Sequence, residues 1–282
     1  VPFTTQLLFG FCDQFVLKNI KKLLGLNNCR YALSGAAPIS PELIDWYLSI
    51  GLDMREGWGM TETAGIGTAF YSREIKKGCV GRAIDGSEVQ IAKDGEILFR
   101  GPGVFCGYLN KPEQTNEAII DGWLHTGDVG HLDNSGNLKI TDRKKDIIIT
   151  AGGKNISPSE IENELKFSAF ISDAVVIGDK RKFLSCLIMI DEENVMKFAQ
   201  DHDVPFSNFE SLCKSKEIID LIQLEVNQVN KKFANVEQVK KFTLIDVQLT
   251  AEDDELTPTM KLKRKFINQK YTNIIEAMYK TA

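Results

Sequence analysis

Apolar positions change their spacing along the chain, and the changes mark its organisation. Over residues 13–25 (DQFVLKNIKKLLG) they recur at helical intervals, with Gly25 as the stop. Residues 30–33 form a short apolar run that predicts a buried strand leading into Gly35, Ala36, Ala37 and Pro38. Ser40 before Pro41 predicts a helix start, with the helix reaching about Tyr47. The serine oxygen can accept from an unpaired amide of the first turn, and proline has no amide to leave unpaired there. Strand, glycine turn and helix in succession imply α/β layering.

Residues 78–140 have a different texture. Residues 89–91, 96–100 and 137–140 predict short strands, separated by Asp94-Gly95, Gly101-Pro102-Gly103 and Ser135-Gly136. Asp-Gly between short apolar runs is a hairpin signal, so this stretch predicts a small, mostly antiparallel β unit. Beyond Asp142 the pattern changes again. Residues 146–150 predict a strand, and Ser157-Pro158-Ser159-Glu160 has the form of a capping box opening a helix to about Phe167. Strands at 174–178 and 184–190 flank the charged turn 179–182. Helices follow at 192–202 and 216–234, then a strand at 239–245 and an amphipathic helix over 264–280. The last part therefore reads as an α+β domain.

Composition narrows the class. The chain has 282 residues, 43% hydrophobic and 26% charged, which is the balance of a globular protein able to bury a sizeable core. The longest apolar stretch, 183–190, is far short of the roughly 20 residues of a spanning helix. The net charge of −5 is spread evenly: 13 Lys/Arg face 16 Asp/Glu in residues 1–141, and 21 face 23 in residues 142–282. No basic excess points to nucleic acid. Cys12, Cys29, Cys79, Cys106, Cys186 and Cys213 are scattered without a C-x-x-C pair and read as free thiols. With no secretory signal in view, a cytoplasmic location is expected. The first residue is Val1 rather than Met, as in a fragment or a processed piece.

Common chemistries are missing. There is no G-x-x-x-x-G-K-[ST] loop, no G-x-G-x-x-G and no G-x-S-x-G, and His125, His131 and His202 lack metal-ligand spacing. Other clusters stand out. In Gly57-Trp58-Gly59-Met60-Thr61-Glu62 the glycines permit close approach of a ligand and Trp58 offers a stacking face to a base. Thr61 could bond a phosphate and Glu62 could ligate magnesium; the bland reading is a glycine turn with a core tryptophan. Trp123-Leu124-His125-Thr126-Gly127-Asp128 places a carboxylate where a tight turn would let it accept from two sugar hydroxyls, or where it is simply a turn aspartate. Asp142-Arg143-Lys144-Lys145-Asp146 is a charged run between textures, read either as a solvated linker or as a pivot from which Arg143 reaches a nucleotide sugar. Thr257-Pro258-Thr259-Met260-Lys261-Leu262-Lys263-Arg264 is a basic helix start, or a loop whose lysine neutralises transition-state charge.

Taken in this order the clusters resemble the acyl-adenylate-forming (AMP-dependent) synthetase superfamily: acyl-CoA synthetases, amino-acid adenylation domains and beetle luciferases. Ser34-Gly35-Ala36-Ala37-Pro38 resembles its adenine-side loop. Residues 57–62 resemble its aromatic-Gly-x-Thr-Glu motif, with Trp58 where Tyr or Phe is more usual. Gly95-Glu96-Ile97 through Gly107-Tyr108, Lys111-Pro112-Glu113 and Thr115 resemble the next block, and His125-Thr126-Gly127-Asp128 the ribose motif. Asp142-Arg143 to Glu160-Ile161-Glu162 resemble the hinge and the loop beyond it. Lys261 falls on the mobile lysine, and 256–264 resemble the long-chain fatty acyl-CoA synthetase branch. The S-G-T-T-G-x-P-K phosphate loop is absent, which implies the C-terminal part of a longer enzyme.

The resemblance implies α/β plus α+β architecture: residues 1–141 as the end of the large AMP-binding domain, 142–145 as hinge and 146–282 as a lid. It implies an ATP-dependent, AMP-forming ligase joining a long-chain fatty acid to coenzyme A with Mg²⁺ present, incomplete in this chain. Lys261, Thr61 and Glu62 are the implied catalytic residues, Glu62 holding the metal. Gly35, Ala36, Ala37, Pro38, Trp58, Gly59, Thr61, Asp128 and Arg143 would bind the nucleotide. Lys145 would be the pivot, and Gly152 and Gly153 would line the path for coenzyme A. The missing N-terminal part of the same enzyme is the implied partner. The basic residues Lys261, Lys263, Arg264 and Lys265 are compatible with weak peripheral contact at an anionic membrane, or with plain solvated surface. A ligase for a medium-chain or aromatic acid, one that feeds a carrier protein, and a non-catalytic nucleotide-binding fragment stay open as alternatives.

Overall fold

The computed structural model describes residues 2–37, 39–71, 75–247 and 263–280. Pro38 and Lys261 lie outside the described residues. The chain divides into two compact units, Val1–Lys144 and Lys145–Ala282.

The first unit opens with helix α1 (Phe3–Cys12), a π-helical turn over Asp13–Leu17 and α2 (Lys18–Leu23). The sequence places this helix's start at residue 13, whereas it begins ten residues earlier: in 3–12 the polar residues Thr4, Thr5 and Gln6 are consecutive and the rest are Gly10 or apolar, so no helical spacing marks it. None of its residues is buried, and Phe3 is 75% and Phe11 64% exposed. Strand β1 (Ala32–Ser34), helix α3 (Pro41–Ser49) and β2 (Met54–Trp58) follow as a βαβ step. Ser40 caps α3 by accepting from the Leu43 amide, and Ile44 is buried. The pairing of β1 with β2 is parallel, Ser34 opposite Glu56, so the segments after both strands leave at the same edge. Strands β3 (Thr68–Ala69) and β4 (Arg82–Ala83) extend the sheet antiparallel.

A second, antiparallel sheet contains β5 (Glu88–Ile91), β6 (Glu96–Arg100), β7 (Ile119–Ile120), β8 (Trp123–Leu132) and β9 (Leu138–Arg143), with helix α4 (Pro112–Ala118) before β7. Strand β8 is its spine, pairing with β6, β7 and β9. Along β8 the side chains alternate, with Leu124, Thr126 and Asp128 on the buried positions. The core gathers Trp58, Ile97, Phe99, Leu124 and Leu138.

The second unit begins with a hairpin of β10 (Ile148–Ile149) and β11 (Asn155–Ile156), then α5 (Pro158–Lys166). Pro158 starts α5 as expected, but the Ser157 side chain makes no cap bond. Strands β12 (Ile171–Ile177), β13 (Leu184–Ile190) and β14 (Val239–Leu244) form one sheet, β13 antiparallel to β12 and parallel to β14. All of β13 is buried because both faces are covered. Cys186, Ile188 and Ile190 join one apolar cluster with residues of α5, α6 (Glu192–Asp201), α7 (Phe209–Lys214) and α8 (Lys216–Asn230). Leu187 and Met189 join another with α9 (Arg264–Lys270) and α10 (Thr272–Lys280). No helix among the described residues is long and apolar enough to cross a membrane.

Arg264 closes this unit. Its Nη2 donates to both carboxylate oxygens of Glu162 at 2.7 Å, and its Nη1 donates to the Val176 carbonyl at 2.9 Å. Glu162 also accepts from the Val176 amide at 2.7 Å. Arg264 is therefore an internal clasp between α9, α5 and β12, which corrects its reading as lipid-facing or solvated surface. Removing one member of such a buried pair leaves the other charge desolvated, at roughly 3 kcal/mol. Arg264→Ala is expected to lower the unfolding free energy of this unit by about that amount in a urea titration. Lys263→Ala, at an exposed neighbour, should stay within about 0.5 kcal/mol of the parent.

Candidate functional site

Segments 35–37 and 57–62 emerge side by side because β1 and β2 are parallel neighbours. A Cβ added to Gly35 would stand 3.1 Å from the Gly57 carbonyl, so the two backbones touch. Beneath them Glu56 is buried in β2, and burial raises its carboxyl from an ordinary 4.5 to about 7 against the opposing pull of the Ile39 and Gly78 amides. The next turn is tight: a Cβ on Gly59 would lie 2.4 Å from the Gly65 carbonyl, so only glycine fits. Residues Thr61–Thr63 form a single 3₁₀ turn, closed by the Thr63 hydroxyl against the Met60 backbone at 3.0 Å. Thr61 is exposed and Glu62 half-buried.

The Glu62 carboxylate meets Tyr108, whose hydroxyl donates to Oε1 at 2.7 Å. That bond, with burial, raises the phenol's pKa. Tyr108 is itself fixed: its amide donates to the Thr115 hydroxyl at 2.9 Å, and its ring meets Phe105 edge-on. Among the described residues no cluster of three His, Cys, Asp or Glu could cage a metal. A lone carboxylate fits Mg²⁺, which is commonly held by one or two carboxylates plus waters and substrate phosphates.

Trp58 departs from expectation. The residue is 6% exposed, its ring edge-on to Phe99 at 6.0 Å, with Gly67 against its other part. It is a core side chain rather than an open stacking face, because β2 turns its even-numbered positions inward. Its indole N–H donates to Asp128 Oδ2 at 2.8 Å. Asp128 also departs: it sits in β8, not in a tight turn. Pairing of β8 with β6 shifts register across it, Leu98 facing His125 but Glu96 facing Val129, and Gly127 adopts φ +70°. Such bulges re-aim a strand side chain. The Thr126 hydroxyl donates to the Ile97 carbonyl at 2.7 Å and accepts from the Asp128 amide at 3.1 Å. Arg143 Nε lies 3.1 Å from Asp128 Oδ1. Gly35, Trp58, Asp128 and Arg143 are thus linked by contacts within one unit.

Glu96 holds the segment from below. Its carboxylate accepts from the Gly127 amide and Lys144 Nζ, each at 3.0 Å, and lies 3.2 Å from His125 Nδ1. Burial pushes its pKa up, but the bonds from Lys144, His125 and Gly127 outweigh it and hold the carboxyl below its ordinary value. Neither Glu96 nor Tyr108 was assigned a role from sequence; a glutamate opening an apolar strand directly after Asp-Gly was the available signal. In the second unit Gly152 and Gly153 form the exposed tip of the β10–β11 hairpin, with Gly153 at φ +76°. A Cβ on Gly152 would meet only Thr150 Oγ1, at 3.9 Å. Lys145 is exposed and is the first residue of that unit.

Residues 10–109 match the model of AMP-binding enzymes, and residues 145–282 match that of the AMP-binding enzyme C-terminal domain. The chain belongs to the AMP-binding enzymes. Its curated relatives include the long-chain-fatty-acid–CoA ligase FadD15 of Mycobacterium tuberculosis, 40% identical over 95% of this chain and 44% of that protein. The long-chain-fatty-acid–CoA ligase ACSBG2 of Gallus gallus is 35% identical over 97% of this chain and 39% of that protein. Among solved structures, the o-succinylbenzoate coenzyme A synthetase of Bacillus subtilis, in complex with ATP and a magnesium ion, aligns with a TM-score of 0.63 at 27% identity. That alignment covers 84% of this chain and 46% of the synthetase. This AMP-binding chain therefore spans less than half the length of these relatives.

Glu56 generates a pH test. A carboxyl raised from 4.5 to about 7 in the fold contributes stability below 4.5 that is lost as pH rises through 7, on the order of 3 kcal/mol. Glu56→Gln should match the parent in urea unfolding below pH 4.5 and exceed it by about that amount above pH 7. A pH-independent difference would show that Glu56 is not buried in this way.

Proposed function

We propose that the chain is the C-terminal part of an AMP-forming ligase that joins a long-chain fatty acid to coenzyme A through an acyl-adenylate. The observation that carries this reading is the linked cluster of the first unit. Asp128 is held at one oxygen by Trp58 and at the other by Arg143, at the sheet edge where the Gly35–Ala37 backbone and the 57–62 turn lie side by side. A carboxylate has about four acceptor positions, so one on each oxygen is left for adjacent ribose hydroxyls. Relatives at 35% and 40% identity are named long-chain-fatty-acid–CoA ligases, which supports the substrate class.

In the first half-reaction the fatty carboxylate attacks the α-phosphorus of ATP and pyrophosphate leaves. Backbone of Gly35, Ala36, Ala37 and Gly59 lines the base side; Asp128 and Arg143 hold the ribose; Thr61 bonds a phosphate oxygen. Glu62 would hold Mg²⁺, which when bound neutralises phosphate charge. Lys261 brings a compact ammonium to the oxygens where charge develops. In the second half-reaction the thiol of coenzyme A attacks the acyl-adenylate carbonyl, and AMP leaves. Lys145 is the pivot that lets the second unit withdraw Lys261 and present the Gly152–Gly153 tip. That tip is open in its own unit, with only Thr150 Oγ1 at 3.9 Å from a Cβ built on Gly152, so it leaves room for a thiol arm.

The exposed apolar face of α1 suits burial against the part of such an enzyme that these residues do not include, with its phosphate loop. The 282 residues alone are accordingly expected to release no pyrophosphate from ATP and palmitate, while the full-length enzyme does. In the full-length enzyme, Lys261→Ala should abolish adenylate formation, by about 10²-fold or more, yet retain most thioester formation from supplied palmitoyl-adenylate. Equal loss in both half-reactions would remove Lys261 from this role. Gly152→Leu, at an exposed tip that tolerates it, should show the opposite pattern. A panel of medium-chain and aromatic acids, and a carrier protein in place of coenzyme A, would reveal another substrate class.

A further inference from the structure

We propose that Trp58 is a positioning residue for the sugar carboxylate: its buried indole N–H fixes the rotation of Asp128 so that one free acceptor on each oxygen faces a vicinal diol. The inference rests on the reading that Asp128 takes the ribose. Trp58 lies in β2 and Asp128 in β8, so the bond ties the two sheets of the first unit across 70 residues of chain. Both residues are buried, Trp58 to 6% and Asp128 to 7% exposure.

An indole N–H only donates, so it can be satisfied at this depth only by an acceptor such as a carboxylate. Arg143 Nε approaches the other oxygen at 3.1 Å, and the Thr126 hydroxyl fixes the Asp128 amide. Two donors on opposite oxygens remove the freedom of the terminal carboxylate torsion, which is otherwise broad. The ring has little choice of position, since a Cβ on Gly67 would come within 2.6 Å of it and Phe99 stands edge-on to it. Phenylalanine has no donor. A tyrosine hydroxyl sits at the far tip of its ring, whereas Nε1 sits on the inner five-membered ring, so neither can place a proton where Trp58 places it. A ring enclosed in this way acts through Asp128 and not by stacking on the base.

The test compares AMP with 2′,3′-dideoxy-AMP, which lacks both ribose hydroxyls, by calorimetric titration of the full-length enzyme. The parent should prefer AMP at least tenfold; equal affinity for the two, or no binding of AMP, would overturn the ribose reading and this inference with it. Trp58→Phe should lose about tenfold in AMP affinity and change the dideoxy affinity less than twofold. Replacing Trp58 by benzothienylalanine, which keeps the bicyclic shape without the N–H, should do the same while preserving the packing. Equal weakening of both ligands by either variant, or an unchanged AMP preference in the benzothienylalanine protein, would overturn the positioning role.

Discussion

A buried carboxylate must be met by donors, and in the first unit that requirement organises everything around Asp128. Left unpaired in β8 it would be costly. It is paired by an indole from one sheet and a guanidinium from the neighbouring strand of its own. The bulge at Gly127 aims it, the Thr126 hydroxyl ties its amide, and Glu96 anchors the bulge through the Gly127 N–H. Apart from the local Thr126 bond, these contacts join segments distant in sequence, so the carboxylate proposed to bind the sugar is also a structural junction. The same arrangement explains why so polar a strand as β8 can run through the middle of a sheet.

The second unit meets its constraint differently. Its central strand is apolar at nearly every position because helices cover both faces, and alternate residues serve two separate clusters. A largely buried charge pair, Glu162 with Arg264, is also bonded to the Val176 backbone. It fixes the start of α9 to α5, the helix that directly follows the glycine hairpin.

How much of this was legible depends on the range of the interaction. The strands at Glu96–Arg100 and Leu184–Ile190 were readable because each is apolar and bounded by turn residues. Strand β8 was not, since two glycines, a threonine and an aspartate in ten residues mimic a loop, and only pairing on both sides makes it a strand. The single helix expected over 264–280 is broken at Tyr271, where two helices meet, and α7 was missed because six residues carry too little periodicity. In the site, the strand, glycine turn and helix over 30–47 pointed to α/β layering, but β2 itself was not expected, so the approach of residues 35–37 and 57–59 was only half legible. The indole of Trp58 turning inward to Asp128 was not: nothing local distinguishes a stacking tryptophan from a buried one.

Glu96 and Lys144 also bear on where a pivot can lie. The Lys144 amide donates to the Gly127 carbonyl at 2.8 Å, and its ammonium spans Asp94 at 2.7 Å and Glu96 at 3.0 Å. Glu96 is in turn bonded to the Gly127 amide, so Lys144 is fastened by backbone and side chain to the segment that carries Asp128. Rotation about any bond before Lys144 would break these contacts and disturb the segment that carries Asp128. Rotation at Lys145, whose side chain is exposed, breaks none of them. A hinge placed one residue earlier would couple the proposed movement of the second unit to the contacts around Asp128. The proposed pivot at Lys145 would leave the contacts around Asp128 intact.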